Sequence, residues 1–255
     1  IFLLISSSAI ASVSTDSASA FCLRLSGGEG IGVYRDFGAS PITFRGLELD
    51  PGISLMYEKG SWRYEGSLAG AGGGYGFLLG FNYMQAYGGA PWISLSAQHK
   101  IDNFGRWNFW IGGGVEDRCD IRYSSALGNA CTGISNFFNV NLLGDVECNY
   151  GFWTIRGRLS LAPMSLLFRP GFAYMDNYDQ EIGDPNANLF DQYSSYVSWA
   201  TGASTEFGFL YRLKQGNRVG VCYRWNYFTS RTSSSCPHLF QQASHALIVN
   251  LDFAL

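Results

Sequence analysis

Charged side chains recur along this chain at intervals that alternating strands would turn to one side. Asp145 and Glu147 stand two apart, and Arg156 and Arg158 repeat the interval just past Tyr150-Gly151. Glu58, Arg63 and Glu65 bracket another short turn, and Lys100 and Asp102 precede a third. Glu116, Glu206, Arg212, Arg224 and Asp252 complete the set. Residues two apart on a strand share a face. Acids and guanidiniums gathered on one face can lock together as ion pairs or line a polar conduit or proton path.

Other chemistry is sparser. His99, His238 and His245 are the histidines. A histidine meeting an acid of the 162–192 segment (Asp176, Asp179, Asp184 or Asp191) would give a protease-like or lipase-like rim site, but no local motif supports one. The acid-rich "DNYDQEIGDPNANLFD" has the hard oxygens calcium takes but not the EF-hand spacing. "GAGGGYG" lacks the Lys-Ser/Thr and the helix of a phosphate loop. No cofactor and no metal is expected.

The elements that position these charges are strands. In "FNVNLLGDVECNY", Phe138, Val140, Leu142 and Val146 alternate with Asn139, Asn141, Asp145 and Glu147. "FWTIRGRLSL" sets Trp153, Ile155, Leu159 and Leu161 against Arg156, Arg158 and Ser160. The same period runs through "GISLMYE", "SWRYEGSL", "WISLSAQHKID", "RWNFWIGGGVE", "YVSWATGASTEFGFLYRLK" and "NRVGVCYRWNYF". It ends in "HALIVNLDFAL", where Leu247, Val249, Leu251 and Phe253 oppose Asn250 and Asp252.

Which face is inside follows from composition and strand length. Aromatics make up 16% of residues and glycines number 32, while charged residues are only 15%, against roughly 25% in soluble domains. No apolar run is long enough for a membrane helix. The strands commonly reach ten residues, close to the roughly 9–11 that cross a bilayer at a tilt. Trp or Tyr sits near many strand ends, as in the aromatic girdles of membrane barrels. The expected fold is therefore an all-β, single-chain, transmembrane antiparallel up-and-down β-barrel in the cell outer membrane. Its apolar faces meet lipid and its charged faces meet the lumen. A net charge of −3 gives no basis for a nucleic-acid partner. Outer-membrane lipid, and the barrel assembly machinery during biogenesis, are the expected partners.

Connections alternate in length. Lys59-Gly60-Ser61, Asp102 to Gly105, Tyr150-Gly151 and Gln215-Gly216-Asn217 are tight turns, assigned to the periplasm. "RDFGASPITFRGLELDP", "GGAP" with its flanks, "CDIRYSSALGNACTGIS", residues 162–192 and "TSRTSSSCPHLFQQ" are assigned as longer links. With "LRLSGGEGIGVY" as a first strand the count is ten. Residues 61–88 are too long for one membrane crossing. They are either one strand rising past the membrane or two with a Gly-rich turn, and twelve strands is the alternative count.

At the N-terminus "IFLLISSSAIASVSTDSASA" reads as the apolar and cleavage regions of an export signal, with cleavage after Ala11 or Ala20. Residues 1–20 are thus expected to be a partial signal peptide and residues 21–255 the barrel domain. Export permits disulfides. Of the six cysteines, Cys119 and Cys131 flank a turn-rich segment and are the pair singled out for a bridge, with free thiols the other reading.

"GIGVYRDFGASPITFRGLELDPGISLMYE" resembles the start of a group of uncharacterised outer-membrane barrel proteins of Bacteroides-like bacteria. The resemblance rests on Ser40, Pro41, Phe44, Gly46, Glu48 and Leu49, with "WIGGGVEDR" and "LSLAPMSLLFRPGFAY" also similar. It implies a barrel and carries no activity and no catalytic residues. The sequence thus leads to a barrel whose lumen is plugged by ion pairs and whose outer loops bind a surface ligand. A narrow channel is the second reading and a rim-site enzyme the third.

Overall fold

The computed structural model describes residues 19–36, 40–79, 82–123, 132–170, 193–230 and 239–255. Every element in them is a strand: β1 (Ala20–Asp36), β2 (Ser40–Leu49), β3 (Gly52–Lys59), β4 (Trp62–Leu79), β5 (Asn82–Phe104), β6 (Trp107–Tyr123), β7 (Thr132–Tyr150), β8 (Trp153–Pro170), β9 (Tyr193–Arg212), β10 (Arg218–Ser230) and β11 (Phe240–Ala254). Apart from β2 and β3, successive strands pair antiparallel, and β11 pairs back onto β1, from Cys22 opposite Ala254 to Asp36 opposite Phe240. Both β2 and β3 pair with β1 on one side and β4 on the other. They are two halves of one stave, interrupted at Asp50-Pro51. The sheet is a closed antiparallel barrel of ten staves, with no free edge.

The closing turns hold glycine in the left-handed region: Gly60 (φ 59°), Gly105 (φ 64°) and Gly151 (φ 59°). A Cβ is disfavoured there, so these three hairpins are tight and their register is fixed. The opposite end is longer. Strand β5 has 23 residues and β9 has 20, roughly twice the 9–11 needed to cross a bilayer. The wall therefore continues past the membrane on the side away from the tight turns.

Two expectations are corrected by this extension. The link "RDFGASPITFRGLELDP" is not a loop: Ser40–Leu49 is strand β2, in register with β1 from Leu49 opposite Glu29 to Phe44 opposite Tyr34. Its Ser-Pro and Gly looked like turn chemistry, yet Arg45, Leu47 and Leu49 face outward while Phe44 and Glu48 face in. The "GGAP" link is also strand, inside β5, and Gly88 and Gly89 lie opposite Gly73 and Gly72. With β4 running unbroken through the glycine run, residues 61–88 hold β4 and the first residues of β5, and the count is ten, not twelve. The flanks of three more links are strand: Cys119–Tyr123 in β6, Ala162–Pro170 in β8 and Thr229-Ser230 in β10. Of the 1–20 segment expected as an export signal, residues 1–18 lie outside the described residues, and Ala20 is the first residue of β1.

The two faces sort as the alternation requires. Leu247 is 61% exposed, whereas Asn250 and Asp252 are 4% and 2% exposed. Val221, Tyr223, Val249 and Leu251 are exposed on the same outer wall, and Val219 is half-exposed. Around the tight-turn end the wall carries aromatics, with Phe21 stacked on Tyr57 and Trp62 on Tyr64. Exposed apolar residues on every stave, girdled by aromatics, match a lipid-facing wall. The side chains buried in the lumen form the core.

Candidate functional site: the barrel lumen

The tight-turn half of the lumen is filled by an ion-pair network. Register sets it up: Asp145 lies opposite Arg158 and Glu147 opposite Arg156 across the β7–β8 hairpin. Arg158 donates to Asp145 at 2.9 Å and reaches Glu65 on β4 at 2.6 Å. Arg156 meets the same Asp145 at 3.2 Å. Arg63 on β4 crosses to Asp145 and Glu147 at 3.4 and 3.0 Å and holds Glu58 at 2.6 Å. On the other side Arg24 grips Asp252 with two hydrogen bonds, 2.7 and 2.9 Å, and Arg218 forms an ion pair with the same acid at 2.9 Å. Arg224 pairs with Glu206 at 3.1 Å. Guanidinium forks suit such a dry site, because each serves several carboxylate oxygens from a fixed plane.

Most of the charges read from sequence are thus in contact. Lys100 approaches the ring of Trp110 at 5.7 Å, beneath Arg63 at 4.2 Å on the same ring. Glu116 accepts from Asn139 at 2.9 Å, higher in the lumen. Two charges fall outside the network. Arg212 is exposed at the end of β9, beyond the last lumen position. A bulge between Lys100 and Asp102 breaks the alternation, so parity cannot place Asp102, and its side chain is outside the described residues. The expected Cys119–Cys131 bridge falls partly outside the described residues. Cys119 is a free thiol opposite Asn136, on the outward parity of β6, and Cys131 is not among the described residues.

Sequence reasoning missed the outer half of the lumen. There Arg122 pairs with Asp120 at 2.7 Å and lies 3.9 Å from the Tyr34 ring and 4.4 Å from that of Phe240. The Arg169 guanidinium also lies over the Phe240 ring, 4.9 Å from its centroid, and donates to Ser230 at 2.7 Å. Phe137, Phe228 and Phe240 pack together, with Phe137 and Phe228 centroids 4.6 Å apart. Tyr75 donates to Glu48. Cations over aromatic faces are favourable where water is scarce. The signal was present: Arg118, Asp120 and Arg122 continue the parity of Glu116, but that segment was left unassigned or cut off as a link.

Between the two layers lies a chamber of about 210 Å³. Its floor includes Glu65, Arg158, Glu206 and Arg224, and Arg118 and Gln242 close over it with a 2.6 Å hydrogen bond. No group of three or more metal-ligating side chains occurs among the described residues. His99 is exposed on the outer wall, edge-on to Trp62. His245 is exposed on the same wall, hydrogen-bonded with Tyr223. His238 lies outside the described residues.

No family model matches the sequence, and no curated protein matches it. Among solved structures, the outer membrane protease OmpT from Escherichia coli superposes with a TM-score of 0.58 at 8% identity, over 95% of this chain and 99% of that one. Neisserial surface protein A gives 0.34 at 11% identity over 90% and 95%. The attachment invasion locus protein Ail of Yersinia pestis gives 0.28 at 11% over 91% and 99%. Only the first bears on the fold. The chain is an outer-membrane β-barrel: its closed sheet is shared with a barrel of that membrane, and its apolar wall requires lipid around it.

Proposed function

We propose that this barrel is a closed structural element of the outer membrane, its lumen strutted by ion pairs and its outer end offering loops to a surface ligand. The observation that carries the reading is the Arg158–Glu65 contact at 2.6 Å. It joins staves on opposite sides of the lumen, at a level where Arg63 also crosses to Asp145 and Glu147. Small barrels are filled by side chains rather than left open, and here the filling pairs acids with guanidiniums from facing staves. Outer-membrane lipid is the partner of the wall, and the barrel assembly machinery is the partner during insertion. The ligand-binding part of the reading rests on the links 124–131, 171–192 and 231–238, which join staves at the end away from the tight turns.

The likeness to a protease brings no proteolytic reading with it. The two histidines whose positions are described both face outward, away from the lumen acids. Single-channel recording in planar bilayers tests the proposal. The wild-type barrel is expected to give no discrete conductance steps. Stable steps at ordinary salt would favour the narrow channel instead.

A further inference from the structure

The chamber between the two layers has an unusual lining for a plugged barrel. On one side Ser54, Ser67 and Ser94 are direct neighbours across β3, β4 and β5. On the facing side Ser160, Ser204, Asn226 and Ser244 are direct neighbours across β8, β9, β10 and β11. All seven line the cavity. These positions could have been filled with large side chains, as the layers above and below are. Instead they form two short hydroxyl-rich walls that leave space between them.

Part of that hydrogen-bonding capacity is used within the walls. Ser67 and Ser94 share a bond at 2.7 Å, and Asn226 donates to Ser244 at 3.4 Å. Among the described residues, no side-chain hydrogen bond engages Ser54, Ser160 or Ser204, so their hydroxyls face the cavity uncommitted. The charges at the boundary are partnered: Arg24 by Asp252, Arg158 by Glu65 and Arg224 by Glu206, while Arg118 stands 4.0 Å from Asp120 and Glu116 accepts from Asn139. Trp92 adds an aromatic face on the lumen side, 5.6 Å from the Arg118 guanidinium. At about 210 Å³ the space exceeds by more than tenfold the roughly 10–15 Å³ one water requires. It is short of the roughly 300 Å³ at which drug-sized pockets begin.

We propose that this chamber binds one small neutral polyhydroxy molecule, a polyol or monosaccharide, between its two serine walls. Uncommitted hydroxyls on both sides supply donors and acceptors at once, as a ligand of vicinal hydroxyls needs. The partnering of the boundary charges selects against ionic ligands, which would leave the cage unbalanced. Trp92 offers a flat surface to the C–H face of such a molecule. The inference rests on the closed-barrel reading in one respect, that the layers above and below occlude the site.

Xylitol is the probe. Melting temperature of the detergent-solubilised barrel is followed against xylitol concentration for wild type, for Ser204→Leu, which fills the chamber, and for Ser67→Ala/Ser160→Ala, which removes hydroxyls without adding bulk. The wild type is expected to show a saturable rise, as ligand binding to the native state produces. Ser204→Leu is expected to show only the unsaturating rise common to excluded osmolytes. The double alanine variant is expected to need about tenfold more xylitol for half-saturation. Native mass spectrometry should find one xylitol per wild-type barrel. Equal, unsaturating rises in wild type and the double alanine variant, with no bound xylitol, would overturn the proposal and leave the chamber to water. Conductance is independent of this outcome, so failure here leaves the closed-barrel reading standing.

Discussion

Arg118 on β6 and Gln242 on β11 meet at 2.6 Å although their staves are five apart in a ring of ten. The bond spans the full width of the barrel. It is one of several transverse contacts, with Arg158–Glu65 below it and the Phe137–Phe228–Phe240 cluster above. The lumen is thus closed at more than one height, and the layers should be separable by mutation.

A lesion in one layer should not open the barrel. Arg118→Ala and Phe137→Ala are each expected to remain silent in planar bilayers, because the ion-pair layer below is untouched. Phe137→Ala combined with Arg63→Ala and Arg158→Ala should give measurable leak. Conductance from Phe137→Ala alone would mean that the lower layer is porous to ions.

Asp145 is the most heavily shared acid, serving Arg63, Arg156 and Arg158. Removing one partner from a buried pair strands the other charge, at a cost on the order of 3–5 kcal/mol. Asp145→Ala should lower stability by about that amount in urea unfolding from lipid vesicles, and adding Arg156→Ala should restore part of the loss. Indifference to Asp145→Ala would show the network to be hydrated and weak.

The outer wall should resist charge. Val249 is exposed in the apolar belt of β11, four residues above Phe253 at the aromatic end. Val249→Arg should cost about 2–4 kcal/mol if that position lies near the bilayer midplane. The same unfolding assay in vesicles reads it. A loss well under 1 kcal/mol would place Val249 in the interface.

Two glycines of the outer half should behave oppositely. A Cβ on Gly73 would lie 1.8 Å from the Leu47 carbonyl oxygen, whereas one on Gly89 meets nothing within 4 Å. Gly73→Ala should destabilise by roughly 1–3 kcal/mol, as overpacking does, and raise the fraction of unfolded barrel on unheated gels. Gly89→Ala should be near neutral. Matching behaviour of the two would mean that β2 and β4 separate easily at Leu47.

The sequence by itself determined the faces. Alternation of period two set Leu247, Val249 and Leu251 against Asn250 and Asp252, and the same rule put Asp145, Glu147, Arg156 and Arg158 on one side of one hairpin. Pairing across a tight turn is local, so the register of that hairpin was legible before any fold. Strand ends were not. Ser40–Leu49 carries Ser-Pro and Gly, and its place between β1 and β4 makes it strand, because β1 offers backbone partners along most of it and β4 along Arg45–Leu49. Parity also fails at bulges: beyond the irregularity between Ala162 and Met164, the lumen side of β8 passes from Arg158 and Ser160 to Ser165, Leu167 and Arg169. Above all, alternation says that a side chain points inward but not what it will meet there. Arg158 reaching Glu65, and Arg118 reaching Gln242, depend on which staves closure sets opposite one another, and closure is a property of the whole sheet.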